Sequence, residues 1–182
     1  PNGVVTKTIN SPEPIAAIAL SADGKFLVST GDDGTIELWS INSGEAIAES
    51  IGNQHCIGSL SISPDSRTIA AGTVNGYVIL WQLENIENGR FQQIAPIQSI
   101  KAHAGQINAC IFSPDGQYLI TGSVDGKAKV WYRGEDLSFR DKARSILKGD
   151  PGRSVMSVAI DPDGKSIAVG GADGTIQIWQ RG

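Results

Sequence analysis

Short apolar runs that alternate with polar positions recur along the whole chain, and no helical period competes with them. Ile36 and Leu38 fall on one side of an extended run while Glu37 and Trp39 fall on the other, and Ile176 and Ile178 stand in the same relation to Gln177 and Trp179. Ahead of each such run comes an Asp-Gly or Asn-Gly pair, at Asp33-Gly34, Asn75-Gly76, Asp125-Gly126 and Asp173-Gly174, the strongest local signal for a hairpin turn. A second apolar run precedes each pair, for example Tyr118 to Thr121, and is entered through Ala-Asp-Gly, Pro-Asp-Ser or Pro-Asp-Gly, which supply turn backbone. Further upstream lie apolar runs at 15–20, 57–62, 107–112 and 155–160, and there is room for one more strand near 45–50, 95–100 and 143–147. The simplest unit is therefore four short antiparallel strands.

The unit repeats. The stretch from Ser113 to Trp131 has gapless counterparts beginning at Ser21, Ser63 and Asp161, and Trp39, Trp81, Trp131 and Trp179 each fall 18 positions after the start of their block. The starts are 42, 50 and 48 residues apart, so all variation in length lies in the connectors. Fixed blocks joined by free loops are the signature of a repeat architecture.

These residues resemble the WD-repeat β-propellers, over essentially all 182 positions. The resemblance implies an all-β fold of four blades, each a four-stranded antiparallel sheet, with repeat blocks at 15–51, 57–100, 107–148 and 154–182 in one propeller domain, or part of one, over 1–182. Residues 3–9 precede the first block, where the family places a last strand, so they are expected to complete the fourth blade beside Ile176–Trp179. The family also braces blades with a polar tetrad. The third unit matches it at every position, with His103, Thr121, Asp125 and Trp131. The first offers Ser11, Ser29, Asp33 and Trp39, the second Asn53, Ala71, Asn75 and Trp81, and the fourth Pro151, Val169, Asp173 and Trp179. The Asp that usually follows the Trp is replaced by Ser40, Gln82, Tyr132 and Gln180. Blade three is thus expected to be the best braced.

Composition narrows the function. With 40% hydrophobic and 19% charged residues the chain is ordinary globular material, and a net charge of −4 with a pI near 5.1 argues against nucleic acid or an anionic membrane as partner. The basic residues Arg133, Arg140, Lys142, Arg144, Lys148 and Arg153 are interleaved with Glu135, Asp136, Asp141 and Asp150, as in a solvated loop. Cys110 aligns with Ile18, Leu60 and Val158 as a core position, Cys56 falls near a rim, and two cysteines make no disulfide framework. No run approaches transmembrane length and no signal segment opens the chain, which leads to a cytoplasmic, reducing setting.

No catalytic motif, cofactor loop or metal-ligand spacing is present: His55 and His103 cannot assemble a metal site with two scattered cysteines, and the Asp-Gly pairs are hairpin turns without the ligand succession of a calcium loop. Two functions remain. A non-catalytic interaction scaffold that presents peptide- or protein-binding surfaces on the propeller faces is what the resemblance implies. The alternative is a propeller-channel enzyme of hydrolase or lyase type, but the first strands that would line the axis carry Ala17, Ala19, Ser59, Ser61, Ala109 and Ala159. Repeat geometry nominates Asp32, His55, Val74, Gln106, Val124, Arg153 and Ala172 as partner-binding positions. The long second and third connectors add Phe91 and Phe139 as exposed loop contacts. Three closures stay open: a four-bladed ring, an eight-bladed ring from a homodimer, or completion by other blades of a longer chain.

Overall fold

The computed structural model describes residues 3–48, 55–87, 90–134, 138–139, 143–148 and 153–180. Their regular elements are strands in four antiparallel sheets, and within each sheet the strands follow chain order. The first sheet holds β1 (Ile15–Leu20), β2 (Phe26–Gly31) and β3 (Ile36–Ser40). The second holds β4 (Ile57–Ile62), β5 (Thr68–Thr73), β6 (Tyr77–Glu87) and β7 (Arg90–Lys101). In the third are β8 (Ile107–Phe112), β9 (Tyr118–Ser123), β10 (Lys127–Tyr132) and β11 (Ser145–Lys148), and in the fourth β12 (Val155–Ile160), β13 (Ser166–Gly171) and β14 (Ile176–Gln180).

Turn chemistry explains why each block folds the same way. Ser63 opens its block: its N–H donates to the Thr68 carbonyl at 2.8 Å, its hydroxyl donates to Asp65 Oδ1 at 2.5 Å, and its Oγ accepts the Thr68 N–H at 2.9 Å. Ser21 and Ser113 repeat that set with Asp23 and Phe26, and with Asp115 and Tyr118. One residue in the turn must take the left-handed conformation, and Gly24, Gly116 and Gly164 do so at φ near 70°. The second unit has Ser66 there instead, at φ 59°.

The core lies between blades. First strands run side by side in the order β1, β4, β8, β12. Ile36 and Leu38 of the first sheet are buried against Ile57, Ile69 and Trp81 of the second, Val78 and Leu80 of the second against Ile107, Leu119 and Trp131 of the third, and Ala128 of the third against Val155 and Val169 of the fourth. Blades approach so closely that a Cβ on Gly122 would lie 2.5 Å from Val155 Cγ1. The row is open at both ends. Ile176 and Ile178 are 75% and 70% exposed, whereas their counterparts Val78 and Leu80 are 1% and 0% exposed; Ile15, Ile18 and Leu20 are likewise bare on the opposite outer face.

Two expectations about strands change. Among the described residues, residues 3–9 form no strand and β14 pairs with β13 alone, in place of the expected closing strand on the last blade. Lys7 instead donates to the Asn42 carbonyl and lies against Gly44, placing the segment beside its own sheet at the far end of the row from β14. The fourth strand of the first sheet is reduced to a bridge between Trp39 and Ala46 and the bond from Ile47 N–H to the Leu38 carbonyl, with 49 and 50 outside the described residues. The extra residues of the second connector lengthen a hairpin: β6 and β7 stay paired out to Glu87 and Arg90.

Candidate functional site

In the third blade the four residues of the polar tetrad meet. Trp131 Nε1–H donates to Thr121 Oγ1 at 3.0 Å, the Thr121 hydroxyl lies 2.8 Å from His103 Nε2, and His103 Nδ1 lies 3.0 Å from both carboxylate oxygens of Asp125. Donors and acceptors match if Nδ1 carries the proton: the Thr121 O–H donates to Nε2, and Nδ1–H donates to Asp125. Burial pushes the His103 pKa down to about 4, outweighing the Asp125 carboxylate that pulls the other way. Burial raises the Asp125 carboxyl, but the Ala104 N–H, His103 and the Lys127 N–H together hold it below its usual value. A neutral, fully bonded imidazole at 2% exposure is a brace between the strand-connecting turn and the hairpin.

The other blades keep parts of the arrangement. Trp39 Nε1–H donates to Ser29 Oγ at 2.8 Å, while Ser11 turns to Glu37 Oε2 at 2.9 Å. With Val169 in the place of Thr121, the buried Trp179 Nε1–H finds no hydrogen-bond partner among the described residues. Asn53 and Pro151 lie outside the described residues.

The nominated partner positions gather at one end of the sheets, where first strands begin and second strands end, as the pairs Ile57 with Thr73, Ile107 with Ser123 and Val155 with Gly171 require. A repeated backbone bond fixes them there. Val74 N–H donates to Cys56, Val124 N–H to Gln106, and Ala172 N–H to Ser154, each to the carbonyl at 2.9 to 3.0 Å. Val74 and Val124 are 41% and 40% exposed on this end, Asp32, Gln106, Arg153 and Ala172 are exposed, and His55 stacks on Tyr77 with ring centroids 5.9 Å apart. Adjacent blades join here: Gly76 lies against the His103 and Gly105 carbonyls and Gly126 against that of Arg153, whose guanidinium pairs with Asp173. The end is therefore a continuous rim of polar and small apolar groups held by the scaffold.

Phe91 and Phe139 are elsewhere, and neither is a surface contact. Phe91, 9% exposed, packs edge-on to Phe26 of the preceding blade with centroids 5.5 Å apart, and its N–H donates to the Ile47 carbonyl at 2.8 Å. Phe139, 1% exposed, sits among residues of the second and third blades, including Leu80 and Phe112. Gln98 holds its backbone from both sides, donating Nε2–H to the Phe139 carbonyl at 2.6 Å and accepting its N–H on Oε1 at 2.7 Å. Apolar burial outweighs loop position: each connector folds back and plugs the junction to the blade before it. Arg133 corrects the reading of a wholly solvated basic loop in the same way. It is 8% exposed and its Nη2–H donates to Thr68 Oγ1 at 2.6 Å across the blade boundary. Nothing in the local pattern around Gln98 or Arg133 marks them, because their partners are 41 and 65 residues away.

Among the described residues no group of three or more His, Cys, Asp and Glu is arranged for a metal, and no helix is long and apolar enough to cross a membrane. Burial pushes the Cys110 thiol up to about 12, while Cys56 is exposed. The chain is 25% identical over 167 residues to the target of rapamycin complex subunit wat1 of Schizosaccharomyces pombe, covering 69% of this chain and 52% of that protein. It is 27% identical over 138 residues to the Protein LST8 homolog of Drosophila pseudoobscura pseudoobscura, covering 75% and 43%. With the guanine nucleotide-binding protein subunit beta of Schizosaccharomyces pombe it shares 28% identity over 135 residues, covering 74% and 40%. The chain thus spans about half the length, or less, of these relatives. Residues 3–40, 45–82, 94–132 and 142–180 each match the family described as WD domain, G-beta repeat, and together with the four antiparallel sheets this makes the chain a member of the WD-repeat family.

Proposed function

We propose that this chain is a non-catalytic scaffold that holds a peptide or protein partner on the rim where the second strands end. The observation that carries the reading is the exposed pair Val74 and Val124, set one blade apart by identical backbone bonds and flanked by Gln106, Arg153 and Asp32. Apolar groups held rigidly among polar neighbours suit a binding surface. Two of the relatives bear names of subunits of larger complexes, which supports the same reading. Peptides selected by display against the protein test it. Val74→Asp combined with Val124→Asp is expected to weaken such peptides at least tenfold with an unchanged melting temperature; peptides that bind the double variant equally well overturn the reading. A cytoplasmic, reducing setting belongs with it, supported by the two unpaired cysteines.

The bare outer faces of the first and last blades belong to the same proposal. Apolar side chains such as Ile18 and Ile178 occupy positions that neighbours bury elsewhere in the row, so further blades are the surfaces that fit them. A second copy related by a two-fold axis would set four blades against four. Sedimentation is expected to show a species of twice 19.2 kDa; a folded particle of 19.2 kDa at all concentrations overturns the homodimer.

A further inference from the structure

Each block opens on a turn whose aspartate ties the chain in the same way. Asp23, Asp65 and Asp115 each accept on Oδ1 the hydroxyl of the serine two positions before and the N–H of the residue two positions after. Asp163 keeps the second of these bonds, with the Lys165 N–H. The other carboxylate oxygen is not used by the turn, and in three of the four blades a cation meets it. Lys25 Nζ lies 3.4 Å from Asp23 Oδ2, Lys165 Nζ 3.0 Å from Asp163 Oδ2, and Arg133 Nη1 3.9 Å from Asp65 Oδ2. Asp115 has no ion-pair partner among the described residues. The position that supplies the lysine in the first and fourth turns is Gln117 in the third.

The unmatched carboxylate opens on a cleft. Between the entrance turns of the second and third blades, at the end of the sheets opposite the rim, Pro64, Asp65, Asp115, Gln117, Arg133 and Gly134 line a space of 280 Å³. The two turns touch, since a Cβ on Gly116 would lie 3.5 Å from Pro64 Cδ, and both blades that form the cleft have neighbours on either side. Arg133 does not neutralise Asp115. Its guanidinium is buried, with Nη2–H on Thr68 Oγ1 and Nη1 beside Asp65, so its charge is used across the blade boundary. Two carboxylates and one engaged guanidinium leave the lining net negative.

We propose that this cleft receives an arginine side chain from a protein partner, which takes the place of the missing cation. Charge complementarity selects the occupant: the sister turns show that a cation beside Oδ2 is compatible with the bonded turn, and the cleft holds a side chain rather than a single ion. A planar guanidinium with its fork of N–H donors can serve Asp115 and Asp65 together, which a point-like ammonium does less well. The surface goes beyond the rim reading, because it lies at the other end of the sheets and gives the scaffold a second side from which to hold a partner.

The probe is acetyl-Gly-Arg-Gly-amide, titrated into the isotope-labelled 182-residue chain beside its citrulline counterpart, which has the same shape without the charge. Saturable shifts are expected at the amides of Gly116, Gln117 and Gly134, with a millimolar Kd that weakens as salt is added, and the citrulline peptide is expected to bind about fivefold or more weakly, as befits an exposed ion pair. Asp115→Asn keeps the Oδ1 acceptor of the turn and removes the charge, and is expected to bring the arginine peptide down to the citrulline level. Gln117→Lys installs the cation of the sister turns and is expected to do the same with an unchanged or slightly raised melting temperature. Because the two peptides are compared on the unaltered chain, the test stands even where a variant folds poorly. Equal affinities of the two peptides, shifts centred elsewhere, or undiminished binding to folded Gln117→Lys overturn the proposal. Loss of the arginine peptide in the Val74→Asp, Val124→Asp variant would place it on the rim and overturn the proposal too; its retention there, whatever becomes of display-selected peptides, supports the cleft, so the two readings fail separately.

Discussion

At the residue scale the sharpest consequence concerns His103. The unfolded imidazole takes up its proton near pH 6.5, the folded one only near pH 4, so between those values the unfolded state binds more protons. Stability from this group is complete above about pH 6.5 and is lost as the pH falls towards 4, by about 3 kcal/mol in all. Asp125, held below its ordinary value, adds a loss in the same direction only at lower pH. His103→Gln is expected to be less stable at pH 7 and to have a flatter pH dependence between 6.5 and 4, measured by urea unfolding; an unchanged slope would show that His103 is not buried neutral. Ser66 makes the opposite kind of prediction. It is held at φ 59° where sister turns have glycine, and its hydroxyl accepts only a long 3.4 Å bond from the Asp23 N–H. Ser66→Gly is expected to raise stability by up to about 1 kcal/mol, since relief of the left-handed strain exceeds the extra entropy of an unfolded glycine. A fall in melting temperature would contradict it.

At the scale of elements, the strands were legible because their causes are local. Asp-Gly pairs, Ser and Asp at the block entrance, and period-two alternation all act within a single hairpin, and a gapless block leaves one register for it. The four tetrad positions were legible for the same reason, since Thr121 and Trp131 lie on the paired strands of one hairpin, each two residues from the other's cross-strand partner, and His103 lies at the entrance to the same sheet. What was not legible is where a connector points once it leaves its hairpin. Phe91 and Phe139 look like loop decoration in sequence, and only the packing of one blade on the next shows them as plugs. Phe139→Ala is expected to cost about 3–5 kcal/mol and to lower the denaturation midpoint with little change in slope, because it empties a junction without altering the surface exposed on unfolding. A cost below about 1 kcal/mol would mean that the connector does not seat there in solution.

At the scale of the whole molecule, stability should be graded along the row of blades. A blade in the middle buries both faces against neighbours, while the first and last bury one each, and the exposure of Ile18, Leu20, Ile176 and Ile178 marks the difference. In a repeat array, stability is close to a sum of unit terms and nearest-neighbour interfaces, so an end unit loses about one interface's worth of protection. Native-state hydrogen exchange should therefore find the amides of β9 and β10 slowest and those of β1 and β14 fastest, with the third blade ahead of the second because its tetrad is closed. The gradient also tells what covers the ends. If it flattens as protein concentration rises, with β1 and β14 slowing together, the two outer faces are meeting each other in a second copy. If only β14 slows, the last blade is being covered while the face of β1 stays bare. Uniform protection at every concentration would show that the outer faces are already covered, and the open row of four blades would not be the form present in solution.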